Sequence, residues 1–157
     1  MINMVKITDY MSKDLISLDL KAQNKEEVLL ELSKLMEKSP NIEEGDKIVY
    51  NALVEREKIG STGIGKGIAI PHAKTEGAKS LTVAFGISKK KIDFASLDGE
   101  PVEMFFVFAS PVKDSHIYLK VLARISRLIR EESFRDGLLK CKTPEEIINY
   151  IDRKEIE

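Results

Sequence analysis

The sequence predicts an α/β fold, and three observations carry that prediction. Apolar residues fall at helical spacing in the first and last thirds of the chain, and segment 102–109 is apolar almost continuously. Helices are therefore expected before, between and after the strands, which favours a layered sandwich over a helix bundle. No repeat, low-complexity tract or linker divides residues 1–157, so a single domain is expected.

The first helix is expected from Asn24, an N-cap residue with Glu27 at the capping-box position three residues on. Its stripe is Val28, Leu29, Leu32, Leu35 and Met36, and Ser39-Pro40 ends it. A second amphipathic segment covers 43–58, with Ile48, Val49, Ala52 and Leu53 facing inward and Gly60 as the stop. Residues 60–67 read Gly-Ser-Thr-Gly-Ile-Gly-Lys-Gly, too glycine-rich for helix and open to close backbone approach. Ile68-Ala69-Ile70 predicts a short strand stopped by Pro71, and 81–87 a further strand. Segment 102–109 predicts a central strand buried on both faces. Between the last two, Leu97-Asp98-Gly99-Glu100-Pro101 has turn chemistry, which predicts an antiparallel pairing nearby. After Asp114-Ser115-His116 a helix carries Tyr118, Val121, Leu122, Ile125, Leu128 and Ile129. A short helix is expected at 131–139, and a last one from Thr143, with Pro144 at the first helical position and Glu146 closing a capping box.

Bulk properties narrow the function. With 43% hydrophobic and 32% charged residues the chain has the composition of a folded protein, and a net charge of −1 gives no reason to expect nucleic-acid or membrane binding. The longest apolar run, Met104 to Ala109, is too short to span a bilayer, and the N-terminal stretch lacks a signal peptide's apolar segment. A cytoplasmic location is the expectation. One cysteine, Cys141, and two histidines make a disulfide framework or a transition-metal site unexpected.

The chemistry-bearing stretch is 56–74, where His72 follows a strand, a proline stop and the glycine-rich loop. A neutral imidazole nitrogen is nucleophilic near pH 7, because the ordinary pKa is about 6.5. A phosphoryl-accepting histidine needs one ring nitrogen exposed, the other held by an acceptor, and donors around the phosphoryl oxygens. Backbone N–H groups of a glycine-rich turn can supply such donors. His116, at the start of a helix, can donate from a neutral ring, and Arg56 offers a fixed cationic donor. Each also has a plainer reading: His116 as an exposed residue beside a cap, Arg56 as a solvated helix residue, the glycines as a tight turn. Gly60 to Lys66 fits the G-x-x-x-x-G-K of a nucleotide-binding loop, but Gly67 stands where a Ser or Thr is needed, and the stretch follows a helix instead of a strand. No nucleotide cofactor is expected.

At these residues the chain resembles the enzyme IIA domains of the fructose/mannitol type in the phosphotransferase system, including the nitrogen-regulatory branch. The resemblance rests on Glu57, then Ile64-Gly65, then Ile68-Ala69-Ile70-Pro71-His72-Ala73, and extends to Asp98-Gly99-Glu100-Pro101-Val102, the helix after His116 and the ending from Lys142 to Ile147. Gly60 to Gly65 looks most like the nitrogen-regulatory and fructose members. The resemblance implies a mixed β-sheet with helices on both faces and a phosphoryl carrier without metal or other cofactor. It implies His72 as nucleophile and carrier, with His116 and Arg56 in the active site and Ser61, Thr62 and Gly63 near the phosphoryl group. The implied donor is HPr or its nitrogen-branch counterpart, and the implied acceptor is a cysteine of a sugar-specific enzyme IIB. Ile64, Ile68 and Phe94 are candidates for an apolar docking rim, and Lys74 for a basic contact. A transport role, a regulatory role through phosphorylation-dependent binding, and a binding module that has lost phosphotransfer all keep this fold. Whether the chain forms a homo-oligomer stays open.

Overall fold

The computed structural model describes residues 5–45, 47–113 and 115–156. Its frame is a six-stranded mixed sheet in the order β1-β5-β6-β3-β2, with β4 also paired to β6. The strands are β1 (Ile16–Ser17), β2 (Gly63–Gly65), β3 (Ile68–Ala69), β4 (His72–Lys74), β5 (Thr82–Ile92) and β6 (Val102–Ser110). The helices are α1 (Lys25–Met36), α2 (Ile48–Ile59), α3 (Ser115–Leu128), α4 (Glu132–Lys140) and α5 (Pro144–Glu155). Among the described residues no helix is long and apolar enough to cross a membrane.

The apolar run at the centre explains the layering. Along β6, Phe105, Val107 and Ala109 face one core with α1 and α2, while Met104, Phe106 and Phe108 face another with α3, α4 and α5. A strand buried on both sides cannot alternate polar with apolar, so β6 reads as nearly unbroken hydrophobicity. Its antiparallel partner β5 runs Thr82 opposite Ala109 through Ile87 opposite Met104, then resumes at Ile92 opposite Val102 after an irregularity. Phe85 stacks tilted on Phe106 with ring centroids 4.6 Å apart, and Phe94 meets Phe105 edge-on at 5.5 Å.

The helix ends follow their sequence signals. The Asn24 side chain accepts from the Glu27 N–H at 2.9 Å, and the Glu27 carboxylate reaches back to the N–H of Gln23. Thr143 Oγ1 accepts from the Glu146 N–H at 3.1 Å, with Pro144 following it. The second helix is shorter than the amphipathic pattern suggests. It begins at Ile48, behind Lys47 with φ 52°, Asp46 lies outside the described residues, and Ile48 is only half-buried. Gly60 ends α2 in an extended conformation, φ 168°, so it stops the helix without the left-handed turn that requires glycine.

Pro71 interrupts a strand without ending it. Both β3 and β4 run parallel to β6 in one register, Ile68 opposite Met104 and His72 opposite Phe108. Proline has no N–H to give the ladder, but the Pro71 carbonyl accepts from Phe108 N–H at 2.9 Å and carries the pairing across the gap. The glycine-rich stretch is a hairpin: β2 pairs antiparallel with β3 around Lys66 (φ 59°) and Gly67 (φ 81°).

The N-terminal segment had no clear sequence signal. It forms two 3-10 turns, Ile7–Tyr10 and Lys13–Leu15, and the short edge strand β1 parallel to β5. The buried Glu155 carboxylate of α5 anchors it by accepting from the N–H groups of Ile7 (2.8 Å) and Thr8 (3.2 Å), and Arg124 pairs with the same carboxylate at 3.0 Å.

Candidate functional site

His72 opens β4, on the side of β6 away from β5. Its neighbour Ala73 is buried toward α1 and α2, so alternation along the strand turns the imidazole toward α3. There the ring lies 6.1 Å from that of Tyr118, centroid to centroid. The two residues share an open cleft of about 580 Å³ with Arg56, Lys74 and the end of α2, where Ile59 is 84% exposed.

The imidazole is held through a relay of hydrogen bonds that begins in α2. The Glu57 carboxylate, 6% exposed, pairs with Lys25 at 2.9 Å and accepts from both the N–H (3.1 Å) and the hydroxyl of Thr62. The Thr62 carbonyl accepts from Ile70 N–H at 2.9 Å, and the Ile70 carbonyl sits 2.7 Å from His72 Nδ1. A carbonyl only accepts, so Nδ1 carries the proton and Nε2 keeps its lone pair. Among the described residues none hydrogen-bonds Nε2.

Burial lowers the His72 pKa below its ordinary value, and the Arg56 charge adds to that, while the Ile70 bond and Glu57 oppose it. The ring is therefore neutral and nucleophilic near pH 7. Tyr118 has its pKa pushed up to about 12 by burial, against the pull of Arg56, and stays a protonated donor. Lys74 Nζ lies 5.9 Å from the Tyr118 ring.

The other candidate residues divide. Arg56 joins His72 in the cleft, with its Nη1 donating to the Gly60 carbonyl at 2.8 Å across the end of α2. His116 is exposed on the first turn of α3, two residues before Tyr118, and does not line the cleft, while Asp114 lies outside the described residues. Ser61, Thr62 and Gly63 do not line it either. Ser61 Oγ donates to the Phe94 carbonyl at 2.7 Å and accepts from Gly63 N–H at 3.0 Å, while Thr62 is engaged by Glu57.

The glycines of the hairpin answer to packing. A Cβ on Gly63 would lie 2.4 Å from Ser96 Oγ, and one on Gly65, at φ 106°, 2.9 Å from Asp98 Oδ2. The Asp98 carboxylate caps the turn, accepting from the N–H groups of Lys66 (2.8 Å) and Glu100 (2.9 Å), and those bonds lower its pKa. Of the candidate rim residues, Ile68 and Phe94 are fully buried and cannot dock a partner, because Ile68 fills the α3-side core and Phe94 packs on Phe105. Ile64 is 43% exposed. Sequence reasoning missed Tyr118, whose place in the apolar stripe of α3 marks it as core. Among the described residues no group of His, Cys, Asp and Glu is placed to hold a metal ion.

Comparison with known proteins identifies the family. A family model described as the phosphoenolpyruvate-dependent sugar phosphotransferase system, EIIA 2, matches residues 9–154. The chain is 37% identical over 150 residues to the fructose-specific EIIABC component of Bacillus subtilis, covering 95% of this chain but 23% of that longer protein. It is 32% identical to a nitrogen regulatory protein of Bradyrhizobium diazoefficiens, over 92% of this chain and 94% of that one. The solved nitrogen regulatory protein IIA-Ntr of Neisseria meningitidis superposes with a TM-score of 0.85 at 29% identity, over 92% of this chain and 98% of that one. The Escherichia coli mannitol IIA structure, 21% identical with a TM-score of 0.73 over 89% of this chain and 97% of that one, shares the fold. A family match across nearly every residue, with relatives of this identity over most of the chain, means that the chain belongs to the type 2 EIIA family of the sugar phosphotransferase system, whose members are phosphotransferase components.

Proposed function

We propose that His72 is a phosphoryl carrier, accepting the group from HPr or a nitrogen-branch counterpart and passing it to a cysteine of a sugar-specific enzyme IIB in the cytoplasm. The observation that carries this reading is the Nδ1 contact to the Ile70 carbonyl, which leaves Nε2 as the nucleophile at an open cleft beside Arg56. In the first transfer the donor's P–N bond breaks as the Nε2–P bond forms, and the donor ring recovers its electron pair. Positive charge developing on the His72 ring is stabilised by the Ile70 carbonyl, and Arg56 offsets the phosphoryl charge. In the second transfer a thiolate attacks phosphorus, the Nε2–P bond breaks and neutral His72 returns. Of the other candidates, Thr62 acts from behind the site, through its bonds to Glu57 and Ile70, while His116, Ser61 and Gly63 stand outside the cleft, where His116 on the first turn of α3 is open to an approaching partner. Partner docking draws support from the structure of an Escherichia coli mannitol IIA in complex with phosphorylated IIB.

Fructose transport is the favoured role, supported by the fructose-specific relatives from Bacillus subtilis and Haloferax volcanii, the latter 34% identical. The alternative is regulation by phosphorylation-dependent binding, supported by the nitrogen regulatory relatives. Incubation with phosphoenolpyruvate, enzyme I and either donor, read by intact mass, tests the shared chemistry. One acid-labile phosphate is expected, absent in His72→Ala. No phosphate with either donor refutes the carrier reading. Onward transfer to a fructose-type IIB then separates the roles.

A further inference from the structure

We infer that the Tyr118 hydroxyl is a phosphoryl-binding donor of the His72 site, contacting an oxygen of the group carried on Nε2. This rests on the carrier reading above. Tyr118 is only 5% exposed, yet its hydroxyl is not among the buried polar atoms that lack a partner, and no described residue hydrogen-bonds it. What little of the residue is open therefore includes the hydroxyl. Tyr118 lines the cleft that also holds His72, and that is where we place the opening of its hydroxyl.

Ring positions support the assignment. The centroids of Tyr118 and His72 are 6.1 Å apart with planes inclined by 47°, which brings the phenol beside the imidazole without stacking on it. A phosphoryl group on Nε2 projects beyond the ring by roughly a P–N and a P–O bond, into the space a neighbouring phenol reaches. The base of the Tyr118 ring is fixed in the core under α3, and Lys74 flanks the ring at 5.9 Å. A donor held this way needs no reorganisation when charge arrives, which is what makes preorganised donors effective. Being neutral, it binds the phosphoryl oxygens without adding positive charge next to the imidazole, and burial keeps it protonated across the working pH range.

Tyr118→Phe keeps the ring packing and removes the donor. Wild type and variant are phosphorylated both by phospho-HPr and by phosphoramidate, whose P–N bond breaks with release of ammonia and which needs no protein docking. The phosphoprotein is followed by phosphorus NMR and by transfer rate. The expected result is an unchanged melting temperature, acceptance still on His72, a displaced phosphorus resonance and transfer slowed about tenfold, the effect of one hydrogen bond to a charged group. In the wild type, the Tyr118 ring carbon bearing the hydroxyl should shift on phosphorylation, and this readout stands even if the variant is unstable. Wild-type rates with an unmoved phosphorus resonance in the variant, or no shift of that carbon in the wild type, overturn the assignment while leaving the carrier reading intact. A wild type that takes phosphate from neither donor overturns both.

Discussion

The β2–β3 hairpin and β4 are separated only by Ile70 and Pro71, yet they do different work. The hairpin and the residues leading into it, 60–67, look most like an anion cradle, with four glycines, a serine and a threonine, and their described polar groups bind the protein itself. The β4 stretch has one polar-ringed residue, and that residue faces the open cleft. Glycine-rich sequence marks close backbone approach, and here what approaches is the 96–98 turn. The reactive group sits where a strand is broken by proline and met by a helix end.

Substitutions can break this contrast, and the largest effect is expected at His72. His72→Ala should abolish phosphate acceptance while shifting the melting temperature by no more than a few degrees, because the half-buried ring contributes little packing; mass analysis and thermal denaturation check both. Unfolding of that variant would make His72 a structural residue. Glu57→Gln comes next, since Glu57 links the two regions. Losing its charge while Lys25 and Thr62 remain should cost about 2 kcal/mol of stability, read by chemical denaturation. It should also slow phosphate acceptance by loosening the Ile70 carbonyl that fixes the ring. Full stability with full rate would show that the relay does not position His72. Gly63→Ala should destabilise by about 2 kcal/mol through the clash with Ser96, while phosphoryl transfer by the folded fraction stays near wild type. A large loss of rate in a stable Gly63→Ala protein would return the hairpin to the phosphoryl site. The smallest effect is in pH dependence. Burial lowers the His72 pKa, so the ring should remain neutral as pH falls through about 6.5 and protonate only below it. An NMR titration of the ring with its midpoint at or above that value would contradict the burial argument.

Much of this was legible in the sequence because the signals were local. The caps at Asn24 and Thr143, the both-faces strand β6 and the His72 motif each depend on a few neighbouring residues. What could not be read depends on distant partners. Residues 7–17 have weak propensity of their own and are held at one end by Glu155, which takes the N–H groups of Ile7 and Thr8, and at the other by pairing of Ile16 and Ser17 with β5. Tyr118 has the helical spacing of a core residue, and only the folded chain brings its ring beside that of His72 at the cleft. The resemblance implies Thr62 near the phosphoryl group, and the sequence alone does not show that Glu57 takes both its donors.

The paired break at Pro71 limits how the protein can signal. With its carbonyl bonded to Phe108, and with His72 and Ala73 in register against β6, the backbone under the imidazole is clamped on both sides of the break. On the carrier reading proposed above, a phosphoryl group on His72 changes the local charge by about two units over a strand whose described residues are paired on both sides of the break. On that reading the loaded and empty forms share this backbone, and a partner that distinguishes them does so by the electric field at the cleft.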